Sequence, residues 1–162
     1  MAEEPVMVVG IDPGLARVGY GFLRKTGNKT EYISHGCITT EAGSPSHEAR
    51  LKKIYDELSD LFHGNKPGFA AVEKLFFTKN ITSAMAVAEV RGVILLACAK
   101  EAIPVFEYTP NQVKQAVTGS GRADKKQVQE MIKRLLHLDA VPTPDDAADG
   151  LSIALCHINR MR

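Results

Sequence analysis

Five short apolar runs predict β-strands, and three of them come one after another at the start of the chain. The first is continuous and rich in valine, which is typical of a strand buried on both faces. Asp12-Pro-Gly14 ends it with a turn, and Gly27-Asn28 joins the next two strands. The predicted strands cover residues 6–11, 18–23, 31–38, 69–72 and 103–106.

Apolar positions three or four residues apart predict helices between and after the later strands. The first helix has Ser44 as its cap, Pro45 at its first position and Gly64 at its end. Residues 80–100 predict a long, alanine-rich helix that is apolar on most sides. Capping-box patterns predict three more helix starts, at residues 109–112, 124–127 and 143–146. The order of elements favours an α/β fold in which a five-stranded mixed sheet is flanked by helices.

Length and composition favour an ordinary globular chain. The 162 residues suit a single domain, residues 1–162, and 44% are hydrophobic. No uninterrupted apolar run approaches the roughly 20 residues of a membrane span, and no signal peptide is recognisable, so we expect a cytoplasmic protein. Three widely spaced cysteines argue against disulfides and a zinc site, and a net charge of +1 gives no overall preference for nucleic acid.

Four acidic residues stand where they can converge. Asp12 and Glu73 each follow a predicted buried strand, and ligand sites form at the carboxyl ends of strands. Asp146 and Asp149 are three apart at the start of the last helix, so their side chains point to nearly the same side. Crowded carboxylates repel one another, and a divalent cation such as Mg²⁺ relieves that repulsion. Two such ions, about 4 Å apart, activate a water and stabilise the leaving oxygen of a phosphodiester.

Each acid also has a structural interpretation. Asp12 could begin a turn, Glu73 could be a surface charge, and Asp146 could belong to a capping box. Asp149 lies one turn inside an apolar helix, where capping does not explain it. Asp145 fits a favourable interaction with the helix dipole.

Six motifs together resemble the RuvC family of bacterial Holliday-junction resolvases, over about residues 6–157. They are Gly-Ile-Asp12-Pro-Gly, Gly19-Tyr-Gly21, Val-Glu73-Lys-Leu-Phe76, Val-Lys114-Gln, Lys125 with Gln127-Val-Gln129, and Asp146-Ala-Ala-Asp149. The resemblance implies an RNase H-like fold and an endonuclease that resolves four-way DNA junctions in recombination and repair. It implies Mg²⁺ or Mn²⁺ as cofactor, with two ions per subunit, and a homodimer that works with the RuvA and RuvB branch-migration proteins.

The same resemblance assigns the site residues. Asp12, Glu73, Asp146 and Asp149 are the catalytic and metal-holding acids, and Asp145 beside them leaves open which adjacent aspartate faces the metal. Lys114 and Lys125 lie close to the scissile phosphate, and Phe76 is a wedge in the junction.

The segment Lys74-Leu-Phe-Phe-Thr-Lys79 has its own pattern of aromatics between lysines. An exposed aromatic there would stack on an unpaired base while the lysines bind phosphates. Alternatively, Phe76 and Phe77 are core residues. Neighbours on an extended segment point in opposite directions, so a third interpretation is that one phenylalanine is buried and the other is exposed. A second basic stretch, residues 114–126, either contacts DNA or is a solvated surface.

The helix predicted at residues 80–100 is a candidate dimer interface. Its apolar side chains go almost around it, and its small residues would allow another element to approach closely. It could instead be a core helix over the sheet. Two rival functions are an actin-like ATPase or sugar-kinase domain, suggested by the Asp12-Pro-Gly14 turn, and a non-catalytic junction-binding module.

Overall fold

The computed structural model describes residues 3–43, 45–75 and 80–161, and these ranges form one mixed β-sheet with helices on both faces. The strands lie in the order β3-β2-β1-β4-β5. The first three are antiparallel neighbours, and β4 and β5 run parallel to β1. The predicted five-stranded mixed sheet is therefore confirmed. The strands are β1 (Val6–Asp12), β2 (Arg17–Thr26), β3 (Lys29–Thr39), β4 (Phe69–Glu73) and β5 (Val105–Tyr108).

Two layers of helix cover the sheet. They are α1 (His47–Asn65), α2 (Ile81–Lys100), α3 (Pro110–Thr118), α4 (Lys125–Leu135) and α5 (Asp145–Ile158). Neighbouring strand residues point to opposite faces, so Val9 packs in one core with α1 and α2. Val8 packs in a second core with α4 and α5. Both faces of β1 are therefore buried, which explains why its sequence is a continuous apolar run.

The predicted ends of α1 are wrong by two residues. Ser46 is the N-cap, with its side chain accepting a hydrogen bond from the Ala49 amide at 3.3 Å; the predicted cap, Ser44, lies outside the described residues. The helix ends at Asn65, and its C-cap is Lys66, whose φ of 48° is left-handed, rather than Gly64. There the Lys66 amide bonds the Phe62 carbonyl, a closure that sequence alone did not distinguish from a glycine stop.

The capping boxes predicted for α3 and α4 are confirmed, but the third is wrong. Thr109 and Gln112 bond reciprocally at the start of α3, and Asp124 and Gln127 do so at α4. At α5 the N-cap is Pro144, which makes no side-chain cap, and the helix begins at Asp145. Capping therefore does not account for Asp146.

Helix α5 lies directly on the backbone of the sheet. From Ala147 to Ile158 all its residues except Asp149 are buried. A Cβ added to Gly19 of β2 would lie 1.8 Å from the Asp146 carbonyl oxygen, and one added to Gly150 would lie 2.6 Å from the Tyr20 backbone. These two glycines are required because any side chain would separate helix and strand. Since Gly19 pairs with Asp12, the close approach brings the start of α5 to the end of β1.

Helix α2 is strongly apolar over its whole length, although charged residues interrupt its apolar runs in the sequence. The helix has 20 residues, and an 18-residue window within it has a mean hydropathy of 1.7, which by length and composition alone is enough to cross a membrane. Val90, Ile94, Ala97 and Cys98 pack into the core with α1 and the sheet. The remaining apolar side chains are partly or fully exposed.

Candidate active site

Two acids stand side by side because β1 and β4 are neighbouring parallel strands. Ile11 pairs with Val72, so the next residues, Asp12 and Glu73, lie together at the carboxyl edge of the sheet. Their side chains are within hydrogen-bonding reach of each other. The proximity predicted from the strand ends is what the fold produces.

Helix α5 brings two more acids to the same place. One carboxylate oxygen from each of Asp12, Asp146 and Asp149 lies within 4.8 Å of the other two. Each of the three residues is partly buried, and Asp12 also reaches Asp149 by a hydrogen bond. Glu73 joins this group through Asp12, so all four predicted acids are contiguous.

Burial and mutual repulsion disfavour ionisation of these carboxyls in the absence of a cation. Burial, followed by the charges of Glu73 and Asp149, raises the pKa of Asp12 from 3.8 to about 9. Burial likewise raises the pKa of Glu73 and of Asp149, although nearby lysines act in the opposite direction. Hard oxygen ligands packed this closely are the donor set that Mg²⁺ or Mn²⁺ prefers. The residues present therefore fit a divalent metal.

Two lysines flank the acids across a cavity of about 270 Å³ that Glu73 and Asp149 also line. Lys114, on α3, lies close enough to Glu73 to favour its ionised form. Lys125, at the start of α4, has its Nζ 3.9 Å from an oxygen of Asp149. Burial by itself would lower the pKa of Lys125, but Asp149 and Asp145 outweigh it and the pKa is raised. Both predicted lysines are thus beside the acids.

Asp145 is not a member of the group formed by Asp12, Asp146 and Asp149. Its carboxylate lies 3.2 Å from Lys125 Nζ and accepts a hydrogen bond from Gln129 Nε2 at 3.1 Å. Among the described residues, the adjacent aspartate in the candidate metal group is Asp146. Asp145 instead contacts the lysine that lies over the site.

Sequence reasoning missed Arg17. Its Nη1 lies 3.8 Å from an Asp146 oxygen, and its side chain is half exposed. The available signal was its position: Arg17 begins β2 directly after the Asp12-Pro-Gly14 turn, so an antiparallel β1–β2 pair must bring it near the end of β1.

Two other features predicted from the sequence are the aromatic segment after Glu73 and the basic stretch at residues 114–126. Phe76, Phe77 and Lys79 lie outside the described residues. The basic stretch at residues 114–126 leads from the acids to a groove of about 510 Å³ on the far side of α4, which Arg122 and Arg134 line. This groove is larger than the cavity beside Glu73. Among the described residues, however, the one acidic residue in its lining is Glu130, which is not one of the four predicted acids. The smaller cavity, which Glu73 and Asp149 line, is the one that lies beside the candidate metal group.

Comparisons with known proteins agree with this geometry. The family model "Crossover junction endodeoxyribonuclease RuvC" matches residues 8–157. A protein of that name from Pseudothermotoga lettingae is 53% identical over 152 residues, covering 94% of this chain and 93% of its own. Another from Rubrobacter xylanophilus is 50% identical, covering 96% of this chain and 87% of its own.

A solved structure, that of Thermus thermophilus RuvC in complex with a Holliday junction substrate, superimposes with a TM-score of 0.90. It is 33% identical, and the match covers 96% of this chain and 94% of that one. The predicted RNase H-like fold is confirmed by this likeness together with the strand order. With a family model and relatives matching along nearly their whole length, the chain belongs to the RuvC family of crossover junction endodeoxyribonucleases.

Proposed function

We propose that this chain is an endonuclease that resolves four-way DNA junctions by metal-dependent hydrolysis of phosphodiester bonds. The observation that carries the proposal is the group of partly buried carboxylates at the end of β1, in a chain whose relatives carry the name of that activity. The relative with a TM-score of 0.90 was solved with a Holliday junction substrate. The whole chain acts as one nuclease domain in recombination and repair.

Asp12, Glu73, Asp146 and Asp149 hold the metal in this proposal, and the ion is Mg²⁺, with Mn²⁺ as a substitute and two ions per subunit. Metal bound there supplies a water activated for attack and stabilisation of the leaving oxygen. The protein's own part is to hold four carboxyls close together, where a bound cation favours their ionised form. It does so by fixing Asp12 and Glu73 at neighbouring strand ends and the other two on a buried helix.

Lys114 and Lys125 add positive charge where the scissile phosphate approaches. Lys125 is supported by Asp145, whose carboxylate lies 3.2 Å from its Nζ and is itself held by Gln129. A lysine fixed in this way can stabilise charge that develops in the transition state, which goes beyond anchoring the backbone.

Replacing Lys125 by alanine should lower the single-turnover cleavage rate at saturating enzyme by about 10–100-fold, because a fixed charge at the reacting phosphate is lost. The measurement is the rate constant on a synthetic junction. Lys126→Ala is the matched control: it removes the neighbouring exposed lysine and should affect affinity at most. If Lys125→Ala weakens binding but keeps the wild-type rate constant, Lys125 only contacts the backbone.

Phe76 remains a prediction as the aromatic wedge that holds the junction centre open. It follows Glu73 by three residues, so a side chain there would reach DNA whose phosphate lies at the acids. Phe77, the next residue, is the alternative stacking residue.

An exposed apolar stripe on α2 supports the homodimer. Ile81, Met85, Ala88, Gly92, Leu95, Leu96 and Ala99 are all exposed. Most of them recur at alternating intervals of four and three residues, the spacing of a seam between packed helices. Ile81 and Met85 are 73% and 61% exposed, which is unusual for side chains of this size. A second copy of α2 across a two-fold axis would cover the stripe and pair two sites.

The dimer also accounts for the apolar composition of α2 without a membrane, and we place the enzyme in the cytoplasm.

RuvA and RuvB are the partners that the family resemblance leads us to expect. One chain offers one acid group among the described residues, whereas resolving a junction takes two cuts.

The function is tested by incubating the protein with a synthetic four-way junction, with and without Mg²⁺. We expect paired cuts in strands of like polarity that depend on the metal, and much slower cutting of linear duplex with the same sequence. Junction binding without any cleavage in Mg²⁺ or Mn²⁺ would instead support a non-catalytic binding module.

A further inference from the structure

A largely buried arginine connects α2 to the strand that carries Glu73. The Arg91 guanidinium donates from Nη1 to the Glu73 backbone carbonyl at 2.5 Å, and from Nη2 to the Glu107 carboxylate. The Arg91 side chain is only 12% exposed. Glu73 ends β4 and Glu107 lies on β5, so one side chain holds two neighbouring strands.

The contact falls where the β4–β5 pairing stops. Glu73 pairs with Tyr108, the last residue of β5, and the amide of Lys74 donates to the Tyr108 carbonyl at 2.8 Å. The peptide that joins Glu73 to Lys74 is therefore held on one side by β5 and on the other by Arg91. Beyond this peptide the chain leaves the sheet.

Arg91 is itself in a fixed position. Val90 and Ile94, on either side of it in α2, are completely buried in the core with α1 and the sheet. A guanidinium is planar and offers donors in a rigid fork, so it can bond a carbonyl and a carboxylate at once. A lysine in the same place has one small ammonium group and lacks that fork.

We propose that Arg91 is a positioning residue that fixes the end of β4, and through it the Glu73 carboxylate, relative to Asp12 and α5. Glu73 carries its side chain on the Cα next to the clamped carbonyl, so movement of this peptide moves the carboxylate. The inference rests on the proposed role of Glu73 in holding metal. The competing interpretation is an ion pair that only stabilises the fold.

The test measures single-turnover junction cleavage against Mg²⁺ concentration for Arg91→Met and Arg91→Lys, well below the unfolding temperature. A displaced Glu73 should lower the rate at limiting Mg²⁺ by about 10–100-fold for Arg91→Met and raise the half-saturating Mg²⁺ concentration. High Mg²⁺ should recover part of the rate, and Arg91→Lys should be intermediate. Without DNA, Ca²⁺ should raise the unfolding temperature of Arg91→Met less than that of the wild type.

Arg24→Met is the control, because it removes another arginine–glutamate pair, Arg24 to Glu31 at 3.1 Å, on the β2–β3 hairpin. It should keep the wild-type Mg²⁺ dependence. If both Arg91 variants are less stable but keep the wild-type rate, Mg²⁺ dependence and Ca²⁺ effect, the proposal is overturned. Should Arg91→Met not fold, Arg91→Lys decides by the same quantities.

Glu73→Gln in the same assay separates this proposal from the one it rests on. Normal cleavage by Glu73→Gln would contradict the metal-holding role of Glu73 and remove the basis for a role of Arg91. Loss of cleavage by Glu73→Gln, together with normal Arg91 variants, would overturn the positioning role alone.

Discussion

Replacing Asp12 by asparagine is expected to lower the single-turnover cleavage rate by about 1,000-fold or more. Asp12 contacts both Glu73 and Asp149, so losing its charge removes the centre of the metal-holding group. Loss of about 4 kcal/mol of transition-state stabilisation corresponds to a factor of this size. The measurement is cleavage of a four-way junction at saturating enzyme, with junction binding measured separately and expected to persist.

The same variant should be more stable than the wild type when metal is removed. The folded-state pKa of Asp12 is raised from 3.8 to about 9, so the folded protein holds this proton more tightly than the unfolded chain. Its contribution to stability is complete below about pH 4 and is lost as the pH rises toward 9. Asparagine never ionises and avoids this loss.

In EDTA, the unfolding temperature of Asp12→Asn should exceed that of the wild type by at least about 5 °C at pH 8, and by less as the pH falls toward 4. Five degrees corresponds to roughly 2 kcal/mol in a chain of this size, which is below the ceiling that the full pKa difference sets. Asp60→Asn, which changes an exposed carboxylate on α1, should show neither effect. A variant that cuts at the normal rate would show that Asp12 is not a catalytic acid.

Placing arginine at Leu95 should convert the protein to monomers and abolish paired cutting. Leu95 lies in the C-terminal half of the exposed apolar stripe of α2, and an unpaired charge buried between two helices costs several kcal/mol. We expect the dimer dissociation constant to rise by about 100-fold or more. Sedimentation or light scattering at several protein concentrations measures it. Leu135→Arg, which alters a similarly exposed leucine on α4, is the matched control and should leave the dimer intact.

Mixed dimers give an independent test of how the two cuts are made. Wild-type chains combined with Asp12→Asn chains should nick a junction once and resolve it poorly, because each subunit serves one strand. A folded Leu95→Arg monomer that makes both cuts in one binding event would contradict the dimer mechanism.

The positions of the four acids followed from local rules of sequence. A buried parallel strand must end at the carboxyl edge of the sheet, which places Asp12 beside Glu73. Residues three apart on a helix share a side, which pairs Asp146 with Asp149. The hydrophobic periodicity of the sequence does not determine the distance between α5 and the sheet. That depends on glycines facing a helix that is distant in sequence.

Two contacts at the site that sequence analysis missed are made by long side chains that reach across elements. Arg17 reaches Asp146, and Arg91 reaches Glu73, from elements whose relative position is set by packing in the cores. The start of α5 was misassigned because Thr143 and Asp146 have the spacing of a capping box. In the fold, the Asp146 carboxylate instead faces Asp12 and Asp149.

The contact of α5 with bare backbone limits which sequences can carry this site. Where two elements meet through side chains, a change in one can be offset by a change in the other, and the spacing between the elements drifts over many substitutions. At Gly19 and Gly150 there is no side chain to shorten, so adding a single methyl group finds no compensating change nearby. The separation of Asp146 from the end of β1 is therefore inherited with the fold.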